Sequence, residues 1–467
     1  MRTQQRLAGL FVFLALLPFA ALCCYSQPGT DDFTDAVQRQ SFGFWDMQRD
    51  LCLNLTGRLF TSVLLTEVSP LALHQLPWYG LAPAGALLLL GASLYGLVSV
   101  LAGPAWRWPA RLLAAGLLLA LWLLQNPSVA ESVYWFNGLA VYTVPTAVLV
   151  AWLAALVRYW LAEPGARPAW LALVAALGTL VLWSNEIIAL PLMAAVTALA
   201  LWQWWRGSPR RMALLALTAW YALALAVSLL APGNMARANL IAVAVPLPVL
   251  VLGPVAASAY LLLNWLASGV LLATTALALP ALARLVAAAL PSLRPLQGLR
   301  PRQLLLVLGF LLAMLSLGAL PSYWATGGLM PPRARASLYL LFLLSWFAGV
   351  LAALVATRQQ AWQRQLVARA GWPRVATGLV WGWLLTNFFS DYNVRVAHRD
   401  VGRASNNAVL TYRDWLRGSA ARYDEALRAR YQLLRTAPGR ALQVPALPPA
   451  ARPCCSTTTS PPTAPSV

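Results

Sequence analysis

The chain has 467 residues, of which 60% are hydrophobic and 10% charged, and its mean hydropathy is +0.65. A soluble domain carries roughly a quarter charged residues, so this composition excludes an ordinary globular protein and indicates a polytopic membrane protein. The formal net charge of +20 comes from Arg alone, gathered between hydrophobic segments; that is a topology pattern rather than a nucleic-acid footprint, and no nucleic-acid partner is expected.

In chain order, Met1 to Arg6 is short and basic and Leu7 to Leu22 is apolar, which resembles a secretory signal. The residues before Cys23 and Cys24 lack a small-x-small cleavage pattern, so the segment is read as an uncleaved first helix with a cytoplasmic N-terminus. Next comes a polar stretch, Gln27 to Arg58, carrying Asp31, Asp32, Asp35, Asp46, Asp50 and Arg58. It is expected to be a loop on the outer membrane face, the acid-rich part of an outer loop over residues 25–77. Apolar runs of about 20 residues, the length a bilayer requires, predict helices near Trp78 to Leu101, Arg111 to Gln125, Gly138 to Val157, Ala169 to Trp183 and Ile187 to Trp205. Further helices are predicted at Met212 to Ala231, Val255 to Leu282, Gln303 to Leu320, Ala336 to Thr357 and Arg374 to Phe389. With the first, these give an all-α bundle of about eleven transmembrane helices over residues 1–389. Asn239 to Pro254, broken by Pro246, Pro248 and Pro254, reads as a re-entrant or interfacial piece.

If the helices alternate from an inside N-terminus, every inside loop holds Arg, from Arg2 and Arg6 to Arg369 and Arg374, as the positive-inside rule requires. Only Glu163 among the acids falls inside. Residues 390–440 then form a small extracytoplasmic helical appendage, with Leu410, Trp415, Leu427, Tyr431 and Leu434 at helical spacing. Residues 441–467, rich in Pro, Ala, Ser and Thr, read as a disordered tail.

The outer side collects the polar insertions. Asp31 and Asp32 suit a general base or the ligands of a divalent cation near a phosphate; the alternative is a solvated loop. Glu186 interrupts an otherwise apolar run and is either a site residue or part of a helix-capping turn at Ser184-Asn185-Glu186. Pro232-Gly-Asn-Met-Ala-Arg237 and Pro331-Pro-Arg-Ala-Arg335 set Asn234, Arg237, Arg333 and Arg335 at the outer side, where guanidinium groups can grip a phosphate or snorkel to the interface. Tyr134, Trp135, Tyr323 and Trp324 are candidates for stacking on a sugar, although most of the Trp residues should be interface anchors. The Cys and His residues show no metal-ligand spacing, which argues against a zinc enzyme.

With Asp31-Asp32 in the first outer loop, the broken Trp183-Ser-Asn-Glu186 segment and about eleven helices, the chain resembles a GT-C type glycosyltransferase. More closely it resembles an uncharacterised bacterial membrane family with Pro-Gly-Asn-x-x-Arg, here Pro232 to Arg237, followed by Pro-Pro-Arg, here Pro331 to Arg333. The resemblance implies a multi-pass protein of the bacterial inner membrane that moves a sugar, with inversion, from a polyprenyl-phosphate donor to a glycan or lipid acceptor. Asp31 or Asp32 would be the base or, with Mg²⁺ or Mn²⁺, the metal ligand. Arg58, Asn234, Arg237, Arg333 and Arg335 would meet the donor phosphate, with membrane lipids as surroundings. The chain departs from many relatives in having only Ser390 to Val467 after the helices, which disfavours a protein acceptor. Two rival classes are a transporter or flippase of lipid-linked saccharides, which should show midplane charges in related halves, and a glycan polymerase or ligase.

Overall fold

The computed structural model describes residues 2–241, 244–288, 290–296, 303–369, 372–390, 406–436 and 447. Among these every regular element is a helix, and ten helices are long and apolar enough to cross a membrane. Helices are the expected solution, because a segment in lipid must satisfy its own backbone N–H and C=O groups. The predicted helices near Arg111 and Arg374 appear as 17-residue helices, Trp108–Leu124 and Arg374–Ser390.

The bundle has two unlike ends. At the arginine end, Arg206, Arg210 and Arg211 lie over the rings of Trp202, Trp160 and Trp204, and Arg111 donates to the carbonyls of Trp106 and Gly103. At the polar end stand the ion pairs Arg39–Glu67, Arg58–Glu186 and Arg333–Glu131. Membrane-like architecture thus follows from the sequence.

Two expectations are corrected. The Gln27 to Arg58 stretch is not a loop but two helices, Thr30–Ser41 and Phe44–Asn54, followed by Leu59–Val68. The first starts where it does because Asp32 reaches back to accept the Gly29 N–H at 2.8 Å, and Asp31 and Asp32 in the first turn suit the positive helix end. Ala36, Met47 and Leu51 then face inward, so a sparse apolar pattern suffices to seat these short helices on the bundle.

The single helix expected from Val255 to Leu282 is also two, Leu247–Leu266 and Gly269–Ala287. Ser268 is the cause, since its hydroxyl accepts the Leu271 N–H at 3.1 Å and restarts the helix. Both ends of Leu247–Leu266 touch the same end of the bundle. Val245, just before it, lies against Gly327, and Ser268, just after it, accepts from Gln125 at 2.6 Å. Both ends of this helix thus approach residues of the polar end, and Gly269–Ala287 runs on toward the arginine end, where Arg284 lines a cleft. The neighbouring Pro232–Ile241 segment is a short helix at the polar end.

The appendage is seated rather than dangling. Of its two helices, Asn407–Leu416 and Ser419–Thr436, the first is fixed by Asn407, which donates to the carbonyls of Leu123 and Asn126 at 2.9 and 2.7 Å. Tyr412 donates to the Leu14 carbonyl. The second reaches the polar end, where Gln27 donates to Asp424 and the Phe33 and Tyr431 rings lie 6.0 Å apart. Residues 391–405 and, except Leu447, the tail at 441–467 lie outside the described residues.

Candidate functional site

Three acids belong to the first polar helix, and each has different surroundings. Asp31 is exposed, Asp32 is 1% exposed and Asp35 is half-buried. Asp32 accepts from the Gly29 N–H and the Tyr79 hydroxyl, both at 2.8 Å, and from the Asn137 N–H at 3.0 Å. Tyr79 in turn accepts the Phe136 N–H at 2.8 Å. This carboxylate is a strut that ties the helix start to the 136–137 turn. Burial pushes its pKa up to about 6, against the lowering effect of those hydrogen bonds. Asp35 accepts from the Asn137 side-chain amide at 3.0 Å. Burial, then repulsion from Asp32 and Asp31, pushes it up to about 7.

Glu186 and Arg58 form the second group. The Arg58 Nη2 lies 2.7 Å from Glu186 Oε2, and its Nε lies 3.2 Å from both oxygens. Arg237 approaches the same carboxylate at 3.9 Å. Burial opposes the charge of Arg58, but Glu186 holds its pKa above the ordinary value; Arg237 is lowered by burial and by the like charge of Arg58. The turn of the apolar run is built around this pair. Asn185 caps the next helix and donates to the Val141 carbonyl at 2.6 Å, while the carbonyls of Trp183 and Ser184 accept from Phe60 N–H and the Thr61 hydroxyl. Glu186 is thus both the capping-turn residue and an ion-pair partner.

Asn234 serves the backbone. It accepts the Gly57 N–H at 3.0 Å and donates to the Ser228 carbonyl at 2.7 Å, while Ser228 donates to the Gly57 carbonyl. Gly233 packs so closely that a Cβ there would lie 2.5 Å from the Thr56 nitrogen and 2.6 Å from the Leu55 nitrogen. The Pro-Gly-Asn-x-x-Arg segment is therefore a clamp that presents Arg237 to Glu186.

A third group joins Glu131 and the Pro332–Ala356 helix. Arg333 Nη1 lies 3.1 Å from Glu131 Oε2, and its guanidinium stands 5.3 Å over the Trp135 ring. Arg335 is 7% exposed, its Nε is buried without a hydrogen bond among the described residues, and Glu131 is the carboxylate that faces it. Trp135 also packs on Gly29, which links this group to the acids of the first helix.

The candidate aromatics divide. Tyr134 is corrected from sugar platform to core residue: it is 1% exposed and donates to the Phe19 carbonyl. Trp135 is committed to Arg333. Tyr323 packs on Gly253, and Trp324, 69% exposed, is the one open ring of the four. Tyr79 and Tyr142, the latter acting on both Arg58 and Arg237, were not singled out, because an aromatic inside an apolar helix carries no sequence signal apart from core packing. Both Asp32 oxygens are taken by donors, so Asp32 itself does not offer a metal ligand, and among the described residues no three His, Cys, Asp or Glu side chains are grouped as ligands of one ion. A cavity of about 650 Å³ lies at the arginine end and includes none of the candidate residues. No protein-family model, curated protein or solved structure matches this chain.

Proposed function

We propose that this is a membrane glycosyltransferase of GT-C type with eleven crossing helices, set in a bacterial inner membrane with the polar end and the appendage outside. One observation carries the reading: at the polar end, two guanidinium groups lie near one carboxylate twice over, with Arg58, Arg237 and Arg333 at ion-pair distance and Arg335 acting on Glu131 from farther off. Arg58 and Arg237 share Glu186, and Arg333 and Arg335 face Glu131. Each trio retains one positive charge, and a partly buried charge without a counter-ion is costly. A phosphate placed there would complete it through paired N–H donors.

The chemistry follows from the neighbouring acids. The acceptor hydroxyl oxygen attacks the sugar C1, its proton passes to the free carboxylate oxygen of Asp35, and the C1–O bond breaks with its electron pair leaving on the lipid phosphate. The arginines offset the charge gained by that phosphate. Asp35 suits the role because a base works best with a pKa near the working pH, whereas Asp32 is fully engaged.

The test is sugar transfer from a polyprenyl-phosphate donor by purified protein in liposomes. Asp35→Asn should lower the rate by about a hundredfold to ten-thousandfold. Asp31→Asn should shift the acid limb of the pH–rate profile to lower pH, because removing a like charge lets Asp35 ionise more readily. If donor is never cleaved and saccharide-lipid instead crosses the bilayer, the flippase reading replaces this one.

A further inference from the structure

Two clefts open at the arginine end, on either side of the contact between the Arg2–Leu22 and Trp108–Leu124 helices. The larger is about 650 Å³ and the smaller about 550 Å³. They share one wall, made by Gln5, Pro109, Ala110 and Leu113. Their depths are apolar: Leu117, Leu277 and Trp381 line the larger, and Val12, Phe13 and Leu16 the smaller. Their mouths are basic, with Arg107 and Arg284 on one and Arg6 on the other, and no Asp or Glu lines either. Arg111, one turn from Arg107, is already spent on the Trp106 and Gly103 carbonyls, while Arg107 is exposed to whatever occupies the mouth.

We infer that this paired cleft is a binding site for one acidic two-tailed phospholipid, with an acyl chain in each cleft and the phosphate held over the shared wall by Arg107 and Arg6, beside Arg284, whose Nε donates to the Pro280 carbonyl. Charge complementarity selects the headgroup, since each Arg close to an anionic lipid surface contributes on the order of 1 kcal/mol. The division into two apolar clefts of ligand size selects the tails. A free phosphate would leave both clefts empty, and a zwitterionic lipid would add a cation to mouths that are already basic. The site stands at the opposite end of the bundle from the acids and does not depend on the reading given to them.

Native mass spectrometry of the purified full chain tests this with three lipids: dioleoyl-phosphatidylglycerol, dioleoyl-phosphatidylcholine and the single-chain lyso-phosphatidylglycerol. Phosphatidylglycerol should bind about tenfold more tightly than either of the others. Arg107→Gln, at an exposed position, should erase the headgroup preference while leaving the fold intact by thermal melting. Equal binding of the glycerol and choline lipids by the unaltered chain, or a preference that survives Arg107→Gln, overturns the headgroup contact. Equal binding of the one-tailed and two-tailed lipids overturns the straddling of the clefts.

Discussion

Asp32 and Asp35 show how one short helix gives like residues unlike work. Both have folded-state pKa values above the ordinary 3.8, about 6 and about 7. The folded chain therefore binds their protons more tightly than the unfolded chain does. The stability that protonation contributes is fully present below about pH 4 and is lost as pH rises through about 6 and 7. Melting in detergent should accordingly occur at higher temperature at pH 5 than at pH 8, and Asp35→Asn should flatten that slope. Asp32→Asn should instead lower melting at every pH, because an amide turns a donor toward Tyr79 or a backbone N–H, a loss of about 1–3 kcal/mol. A flat profile for the unaltered chain between pH 5 and pH 8 would remove the buried acids from the stability of the fold.

At the scale of elements, the clamp at Pro232 to Arg237 sets the position of Arg237. Gly57 and Gly233 are where backbone meets backbone: a Cβ on Gly57 would collide with the Ser228 carbonyl, and one on Gly233 with the Thr56 and Leu55 nitrogens. Backbone cannot swing aside as a side chain can, so Gly233→Ala should destabilise the protein by several kcal/mol and free the Phe44–Asn54 helix to limited proteolysis. Unchanged melting and cleavage would show that the segment is not clamped. The Asn and Arg of this motif were legible as a unit, but their division of labour was not, since sequence spacing does not tell a side chain that holds backbone from one that faces a ligand. The helical character of Thr30–Ser41 was hidden by its polarity, and the break at Ser268 by its apolar flanks. Long apolar runs such as Glu186–Trp205 were legible because lipid leaves them one solution. The tyrosines around Asp32 and Arg58 were not, because in an apolar helix a hydroxyl partner is known only once the helices are packed.

For the molecule as a whole, one end that carries paired acids and arginines and another that carries arginines over tryptophan rings make orientation testable. Reporter fusions after Arg210 and after Thr436 should report opposite compartments, with the first cytoplasmic. The same compartment for both would mean that Leu247–Leu266 crosses after all and that the end-to-end alternation fails. That helix is the pivot of the count, because its length permits a crossing while Val245 and Ser268 at its two ends both approach residues of the polar end.

The docking of Ser419–Thr436 onto Gln27 and Phe33 also sets an order in time. The acid-bearing helix emerges from the ribosome well before its cover, and at typical synthesis rates of 5–20 residues per second the interval between them is on the order of tens of seconds. Throughout that interval Asp31 to Asp35 lack Tyr431 above them, so the polar end is finished by a helix made much later. Chains arrested with their final helix still in the exit tunnel should be cut by protease near Phe33, and released chains should resist. Equal resistance would mean that the bundle closes this region without its last helix.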